Sequence, residues 1–502
     1  MKRAILRAQG KKKKYLARQA HIKNEDDSDG SLSSDDEAEV SDTMVGNSIN
    51  EQYLILKYLG RGTFSKVWMV YDFLEDRFIA LKIQDDKYLK DMEIEVRNLK
   101  HFHRNGGHNN IAKFYGVLDF KVGQEHKKGI LMELLGEPLD TLITEDYDDK
   151  MNSEIIKKIF REILEGIDFI HQNGYLHNDL KPDNILISKP NKKIEEFIES
   201  IKQLDIHNTY LQTITLLTPP ELQLLDKNKR KLVKRKIKIK AAKETAKEFK
   251  KKIIEINNQT LENLKLNIEE IEDYGEDNGK DNGKDNGKDN GEDNGEDNGK
   301  DNGEDNGKDN GKDNGEDDVD IKKDNIGTSP IDLIGIHVKI IDMGSAEPIG
   351  KMESDEILTR CYRPPENIMN PFYNEKSDIW VIGCMLYELF NGRSLFDLRD
   401  YNLDAIEKDR KHISQMYDVL GKMPRDIALD CEFSEDIFDA KGRIIKNKGI
   451  EQRDIKKELC ERFELEESEK EVIHDLIFTI LNYDYKTRPT CREILNHKWF
   501  VN

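Results

Sequence analysis

His177-Asn178-Asp179-Leu180-Lys181-Pro182-Asp183-Asn184, running into the apolar Ile185-Leu186-Ile187, is the stretch of this 502-residue chain that decides its fold. Just upstream, Ile155, Ile159, Ile163, Ile167 and Ile170 recur at three- and four-residue spacing, which predicts a helix with one apolar face. The apolar triplet predicts a short strand, so the polar octet reads as a loop held by scaffold on both sides. Asp179 can accept a hydroxyl proton or orient an attacking oxygen, and Lys181 can neutralise a transferring phosphoryl group. Asn184 can ligate a divalent metal. A carboxylate ending another apolar strand, Asp342 in Ile340-Ile341-Asp342-Met343-Gly344, supplies a second ligand. Two hard oxygens of this kind suit Mg²⁺, which keeps its remaining positions for phosphates and water.

Working outward, the runs Tyr53-Leu54-Ile55-Leu56, Val67-Trp68-Met69-Val70 and Phe78-Ile79-Ala80-Leu81 read as strands. Between the first two lies Leu59-Gly60-Arg61-Gly62-Thr63-Phe64-Ser65-Lys66-Val67, whose glycines let a hairpin backbone lie close over an anionic ligand. Lys82 ends the third strand. A buried lysine there is costly without an anion and a carboxylate partner. Glu95, on the charged helical stretch after it, is the expected partner; Glu93 is the fallback, but it faces another side of a helix.

In this order and at these distances the strings resemble the protein-kinase signature: glycine-rich loop, strand lysine, helix glutamate, H-x-D-x-x-x-x-N and D-x-G. Arg363-Pro364-Pro365-Glu366 is similar to the family's A-P-E, and Asp378-Ile379-Trp380 with Gly383 to its central large-lobe helix. Arg488 is similar to the arginine that family members pair with the A-P-E glutamate. The resemblance extends over 51–188 and 331–502 and implies an α+β, bilobal protein-kinase fold. A small antiparallel β lobe would occupy 51–135, and a large helical lobe 136–188 and 331–502, with 189–330 a long disordered insert. ATP and Mg²⁺ are the implied cofactors. ATP would lie in the cleft against Leu59, Gly60, Gly62, Val67, Ala80 and Leu186. Adenine would meet the backbone at Glu133 and Leu135, with Met132 behind it. Lys82, held by Glu95, would grip the phosphates, Asn184 and Asp342 would hold the metal, and Asp179 and Lys181 would be catalytic.

Lys181 is the serine/threonine marker, and Thr359-Arg360-Cys361-Tyr362-Arg363-Pro364-Pro365-Glu366 resembles the CMGC group. The SR-protein kinases are more similar still. They too have no arginine before the catalytic Asp, a D-x-G motif other than D-F-G, and a long charged spacer at this point. The resemblance implies Arg/Ser-rich protein substrates; a proline-directed or other CMGC kinase is the alternative, and a pseudokinase scaffold a more distant one. Asp418 matches an acidic position of the SR-kinase substrate groove, whereas Lys411 stands where another acid is expected. Asn178 has no charge with which to read a loop phosphate, which implies activity without loop phosphorylation. Met343 is expected to pack where the D-F-G aromatic stands.

The composition is 36 % apolar and 36 % charged, lean in core against the roughly 45–50 % apolar of an ordinary globular chain. Three segments account for this. Residues 1–23 hold nine basic residues and no acid, 24–42 are acidic and Ser-rich, and the third segment runs from about 189 to 330 and ends in ten repeats of (K/E)DNG over 276–315. All read as disordered or linker, the first two forming a tail over 1–50. Within the insert, 227–252 carry fourteen Lys or Arg, read either as a solvated charged helix or as a localisation signal or patch for an acidic partner. The net charge is −20, of which the kinase-like segments carry 44 basic and 58 acidic residues; this favours basic protein substrates over nucleic acid. No apolar run approaches the roughly 18–20 residues of a membrane span. The basic N-terminus has no secretory apolar core, and five cysteines at no metal spacing fit a reducing compartment, cytoplasmic or nuclear.

Overall fold

Apolar runs separated by Gly, Asn and Asp turns build an antiparallel sheet in the first third of the chain. Its strands are β1 (Ser48–Ile49), β2 (Tyr53–Gly62), β3 (Ser65–Asp72), β4 (Arg77–Gln84), β5 (Phe114–Val122) and β6 (Glu125–Glu133), in the order β1-β2-β3-β4-β6-β5. The computed structural model describes residues 44–276 and 335–501, apart from 51, 63–64, 123–124, 145–151, 352–357, 371, 399–402, 446–448, 450 and 460–464. The acidic and basic tail segments and the (K/E)DNG tract from 277 onward lie outside the described residues. Helix α1 (Leu89–Arg104) follows β4 and buries Met92, Glu95, Asn98, Leu99 and Phe102.

The helical lobe follows. Helices α2 (Leu139–Thr144) and α3 (Ser153–Gln172) lead to strands β7 (Tyr175–Leu176) and β8 (Ile185–Ile187). Asn152 caps α3 by accepting from the Ile155 amide, and the isoleucines at 159, 163, 167 and 170 are buried, as their spacing predicts. Strand β8 pairs antiparallel with β9 (Val338–Ile340), and β7 with β10 (Glu347–Pro348). An insertion therefore separates β8 from its own partner.

The chain divides into two units, one of residues 1–257 with 330–502 and one of residues 258–329. Of the second, residues 258–276 are helical and the rest lie outside the described residues. In the first, the insert is not a spacer looping out from 189. Helices α4 (Lys192–Lys202), α5 (Ile206–Leu217) and α6 (Lys227–Glu276) follow β8. Up to 257 they share one apolar cluster with the sheet. Phe197, Ile201, Ile206, Tyr210, Ala241, Ala242, Ala246, Phe249 and Ile253 are buried with Leu54, Leu56, Trp68, Val70 and Phe73. Tyr210 stacks on Phe73 at 4.7 Å, and Asn257 Nδ2 donates to the Leu56 carbonyl at 2.8 Å. This corrects the expectation of disorder over 192–257. Composition hid it, because the stripe of α6 is narrow and alanine-rich while its other faces are Lys and Arg.

The small lobe also begins earlier than 51. Val45 and Ile49 are buried, and β1 pairs with β2, so the tail expected over 1–50 does not extend past 43 in the described chain. Beyond the insert, α7 (Pro365–Met369), α8 (Glu375–Asn391) and α9 (Ala405–Leu420) complete the elements that position the site. Helix α8 is buried on every side from Ser377 to Phe390, the mark of a central core helix. No helix among the described residues is long and apolar enough to cross a membrane.

The packed insert gives a measurable expectation. Phe249→Ala should cost about 3 kcal/mol, the order seen for a buried phenylalanine, in urea unfolding of the small lobe. The exposed neighbour Lys247→Ala should stay within about 0.5 kcal/mol of the parent. Equal behaviour of the two would return the insert to a loose tether.

Candidate active site

Lys82 lies two residues before the end of β4, facing Val67 of β3 and Ile130 of β6 in register. Its Nζ lies 2.9 and 3.0 Å from the two oxygens of Glu95 and 3.4 Å from Asp342 Oδ1. Glu93, two residues away on α1, is exposed, as helical spacing requires. Burial disfavours the lysine's charge, but Glu95 and then Asp342 outweigh it and hold the pKa above the ordinary value. Burial likewise works to raise Asp342, yet Lys82, then His177 and the Gly344 amide, hold it below the ordinary carboxylate value. For Glu95 burial pushes the carboxyl up against the pull of Lys82.

Helix α1 is fastened to the Asp342 segment by a residue the sequence reading passed over. Asn98 Nδ2 donates to the carbonyls of Met343 at 2.9 Å and Ala346 at 2.7 Å, which ties the helix carrying Glu95 to the segment that follows Asp342. Met343 is fully buried beside it. Asp342 and Asn178 both take left-handed backbone, with φ of 59° and 67°, a conformation that Asx residues tolerate best after glycine.

Asp179, Lys181 and Asn184 form the second group. Asn184 Nδ2 donates to the Asp179 carbonyl at 2.7 Å and to its Oδ2 at 3.1 Å. With both amide hydrogens directed there, Asn184 Oδ1 is left as an acceptor. It and the ionised Asp342 are two hard oxygens of the kind Mg²⁺ takes. No group of three or more His, Cys, Asp or Glu among the described residues could hold a metal, so such an ion would draw its other ligands from phosphate and water. Lys181 Nζ lies 3.4 Å from Asp179 Oδ2. Thr359, another residue not singled out, donates from Oγ1 to Asp179 Oδ1 at 3.3 Å and accepts from Lys181 at 3.5 Å. Its signal was its place at the head of the Thr359–Glu366 string. The Ile341 amide donates to the Asn184 carbonyl at 2.9 Å, tying the two groups together.

Of the residues expected around a nucleotide, Ala80 and Met132 are buried and paired in register, while Leu59, Val67, Glu133, Leu135 and Leu186 are partly exposed. Gly60 faces Val67 and Gly62 faces Ser65 across a hairpin whose tip, 63–64, lies outside the described residues. Beyond Leu135 the chain lies against β8: Gly136 N donates to Ile187 O at 2.8 Å, and Ile187 N to Glu137 O at 2.9 Å. A Cβ on Gly136 would stand 2.0 Å from the Lys189 carbonyl, so only glycine fits. The Glu133 carboxylate is engaged by Lys339 at 3.2 Å and by the Lys113 amide at 3.1 Å.

Two buried ionic groups hold these pieces in place. Asp378, in the first turn of α8, accepts from His171 Nε2 at 2.9 Å and from the amides of His177 at 2.8 Å and Asn178 at 3.2 Å. Arg488 meets both oxygens of Glu366 at 2.6 Å with no exposed surface, the pair expected by resemblance.

The model of the protein kinase domain matches residues 53–222 and 319–500. The chain belongs to the protein kinase family. Three relatives named as protein kinases, one of them an SRSF protein kinase, each align along about nine-tenths of this kinase. The serine/threonine-protein kinase spk-1 of Caenorhabditis elegans is 24 % identical over 91 % of this chain and 49 % of its own length. The kinase thus spans about half of that protein. The protein kinase dsk1 of Schizosaccharomyces pombe is 24 % identical over 90 % of this chain and 80 % of its own. SRSF protein kinase 3 of Mus musculus is 23 % identical over 91 % and 87 %. A solved kinase domain superposes with a TM-score of 0.52 at 18 % identity, covering 91 % of this chain and 97 % of that one, which supports the fold. Protein kinases as a family use ATP with a divalent metal.

The Asp378 cluster generates a pH test. Burial would raise this carboxyl, but the His171 hydrogen bond and charge, then His177, hold it below its ordinary 3.8. Its stabilising contribution is therefore complete above that value and is lost as pH falls through the lower, folded value. Asp378→Asn should lower the unfolding midpoint at pH 7 and flatten the acid limb of the stability curve. An unchanged acid limb would mean that the carboxylate is not ionised in the fold.

Proposed function

We propose that the protein transfers the terminal phosphoryl group of ATP to serine or threonine hydroxyls of basic, Arg/Ser-rich proteins. The observation supporting this reading is the contact of one lysine, Lys82, with both the α1 carboxylate and the Asp342 carboxylate, because an oriented cation beside a hard metal-ligating oxygen suits the phosphates of a nucleotide. Lys82 grips those phosphates, and Glu95 keeps its ammonium oriented. Asn184 and Asp342 supply the oxygens for a magnesium ion, whose charge would neutralise the phosphates. Asp179 takes the hydrogen bond of the incoming hydroxyl in place of Thr359, aligning it for attack. Lys181 balances charge on the transferred group. Rate comes from positioning and fixed charge rather than from covalent chemistry on the protein.

Lys82→Met and Asp179→Ala should each abolish phosphate incorporation while circular dichroism and the unfolding midpoint stay close to the parent's. Retained transfer in either would refute these roles. No phosphate incorporation by the parent above the Asp179→Ala background would leave the scaffold reading as the better one.

The substrate class rests on three supports: the acidity of the kinase segments, the SR-type relatives, and Lys181. The acidic groove itself contributes less than the resemblance implies. Asp418 Oδ1 accepts from the Glu451 amide at 2.9 Å and its carbonyl from Arg453 N at 2.8 Å, so it is engaged in holding that loop. Asp409 is paired with Arg360 at 2.6 Å. On a peptide panel, kcat/KM should favour Arg/Ser repeats over Ser-Pro and acidic peptides; a Ser-Pro preference would install the proline-directed alternative.

Activation-loop phosphate has no reader at Asn178, which is 1 % exposed with neither polar side-chain atom hydrogen-bonded. Its carbonyl instead accepts from the Leu358 amide at 3.0 Å, holding the end of the activation segment without charge. Phosphatase treatment should leave the rate unchanged. A large loss would show that another cation reads a phosphate.

A further inference from the structure

The catalytic roles make no use of Lys339, a lysine in the middle of the short apolar strand β9. Val338 and Ile340 on either side of it are buried, and Lys339 itself is only 8 % exposed. On a strand its side chain points to the face opposite theirs. A buried ammonium is costly unless it is paired, and replacing a buried ion pair by apolar side chains is often neutral or stabilising. Stability alone therefore gives little reason for a lysine here. What it holds gives a better one.

Its Nζ lies 3.2 Å from Glu133 Oε2 and donates to the Asn109 carbonyl at 2.6 Å. Glu133 is the last residue of β6, where the chain leaves the sheet for the large lobe. Its amide donates to the Lys113 carbonyl at 2.9 Å, and its Oε2 also accepts from the Lys113 amide at 3.1 Å. Main chain and carboxylate of this one residue are thus both fixed. The Asn109 side of the contact is tied as well: Ile340 N donates to Asn110 O at 2.8 Å, and Ala112 N to Ile340 O at 3.0 Å. Three stretches meet at Lys339: the segment before β5, the end of β6, and the strand that reaches Asp342 three residues later.

We propose that Lys339 is a positioning residue that latches Glu133 to the strand leading to Asp342, and so sets the span between the adenine end and the phosphate end of the nucleotide site. This rests on the ATP reading above, in which adenine meets the Glu133 backbone and Asp342 serves the metal. Lys339 acts through Glu133. Without it, Glu133 keeps its bonds to Lys113 but loses its tie to the large lobe, and the adenine contact falls out of register with the metal ligand. The loss falls on binding of ATP rather than on the chemical step.

Lys339→Met removes the ammonium at similar length. In the full chain it should raise KM for ATP about tenfold, the equivalent of one hydrogen bond to a charged group. The kcat and the KM for the peptide substrate should stay within about twofold, whereas a general loosening of the fold would move all three. Glu133→Gln should act alike from the other side, and it carries the test where Lys339→Met does not fold. The double variant should be no worse than Lys339→Met alone. Adenosine binding, followed by calorimetry, should weaken by the same factor, and binding of magnesium tripolyphosphate should not. An unchanged KM for ATP, a rise in kcat at constant KM, or additive effects of the two substitutions each overturn the latch. A parent that binds neither ATP nor adenosine removes the nucleotide reading and the latch with it; binding by the parent, matched by Lys339→Met, defeats the latch alone.

Discussion

The carboxylate of Asp378 is the constraint on which the catalytic geometry hangs. It is fully buried, and a buried charge is costly unless donors surround it. Here the donors are the side chain of His171 at the end of α3 and two successive amides of the loop that leads into Asp179. One anion on the core helix thus fixes a helix end and the loop backbone together. His177 extends the chain of contacts, its Nε2 meeting the Ile341 carbonyl at 3.0 Å, immediately before Asp342. From there Lys82 and Asn98 carry the register across to β4 and α1. The functional groups sit on separate elements, but few of them have independent freedom.

The small lobe has a second constraint of a different kind. Tyr53 to Leu56 and Trp68 to Tyr71 are buried at consecutive positions, so both faces of these strands are covered. The covering on one side comes from the insert. Eighteen basic residues against nine acidic ones lie in 189–257, so a cationic layer is bolted onto an otherwise acidic kinase. A sheet with water on one side would have alternated in sequence.

That comparison also explains what was legible. The Lys82–Glu95 pair and the short strand after Asn184 are readable from short strings whose residue types have few other uses, whereas the Arg488–Glu366 pair, 122 residues apart, follows only from the family resemblance. Asn98 and Thr359 were not readable, since an Asn on a helix or a Thr in a loop acquires its role only from what the fold sets opposite it. The packed insert was missed for a third reason. The consecutive apolar residues of β2 and β3 signalled a second cover, but they were read as strands and nothing more, while the lysines of α6 diluted its buried stripe. Composition averaged over 189–330 merged a packed helical half with a repeat tract of quite different texture.

The pairing of β8 with β9 has a consequence for the order in which the protein is made. Ile187 and Val338 are register partners separated by 150 residues of chain. At a synthesis rate of about 5–20 residues per second, β8 waits roughly 8–30 s for its partner to leave the ribosome. The partners of α4 to α6 are already present, because the sheet they cover precedes them. The growing chain can therefore close its small lobe under a helical cover while the catalytic loop, already synthesised, still has neither Asp342 nor Asp378 to hold it. During that interval the exposed edge of β8 and the apolar face of α3 are the surfaces that a chaperone would meet.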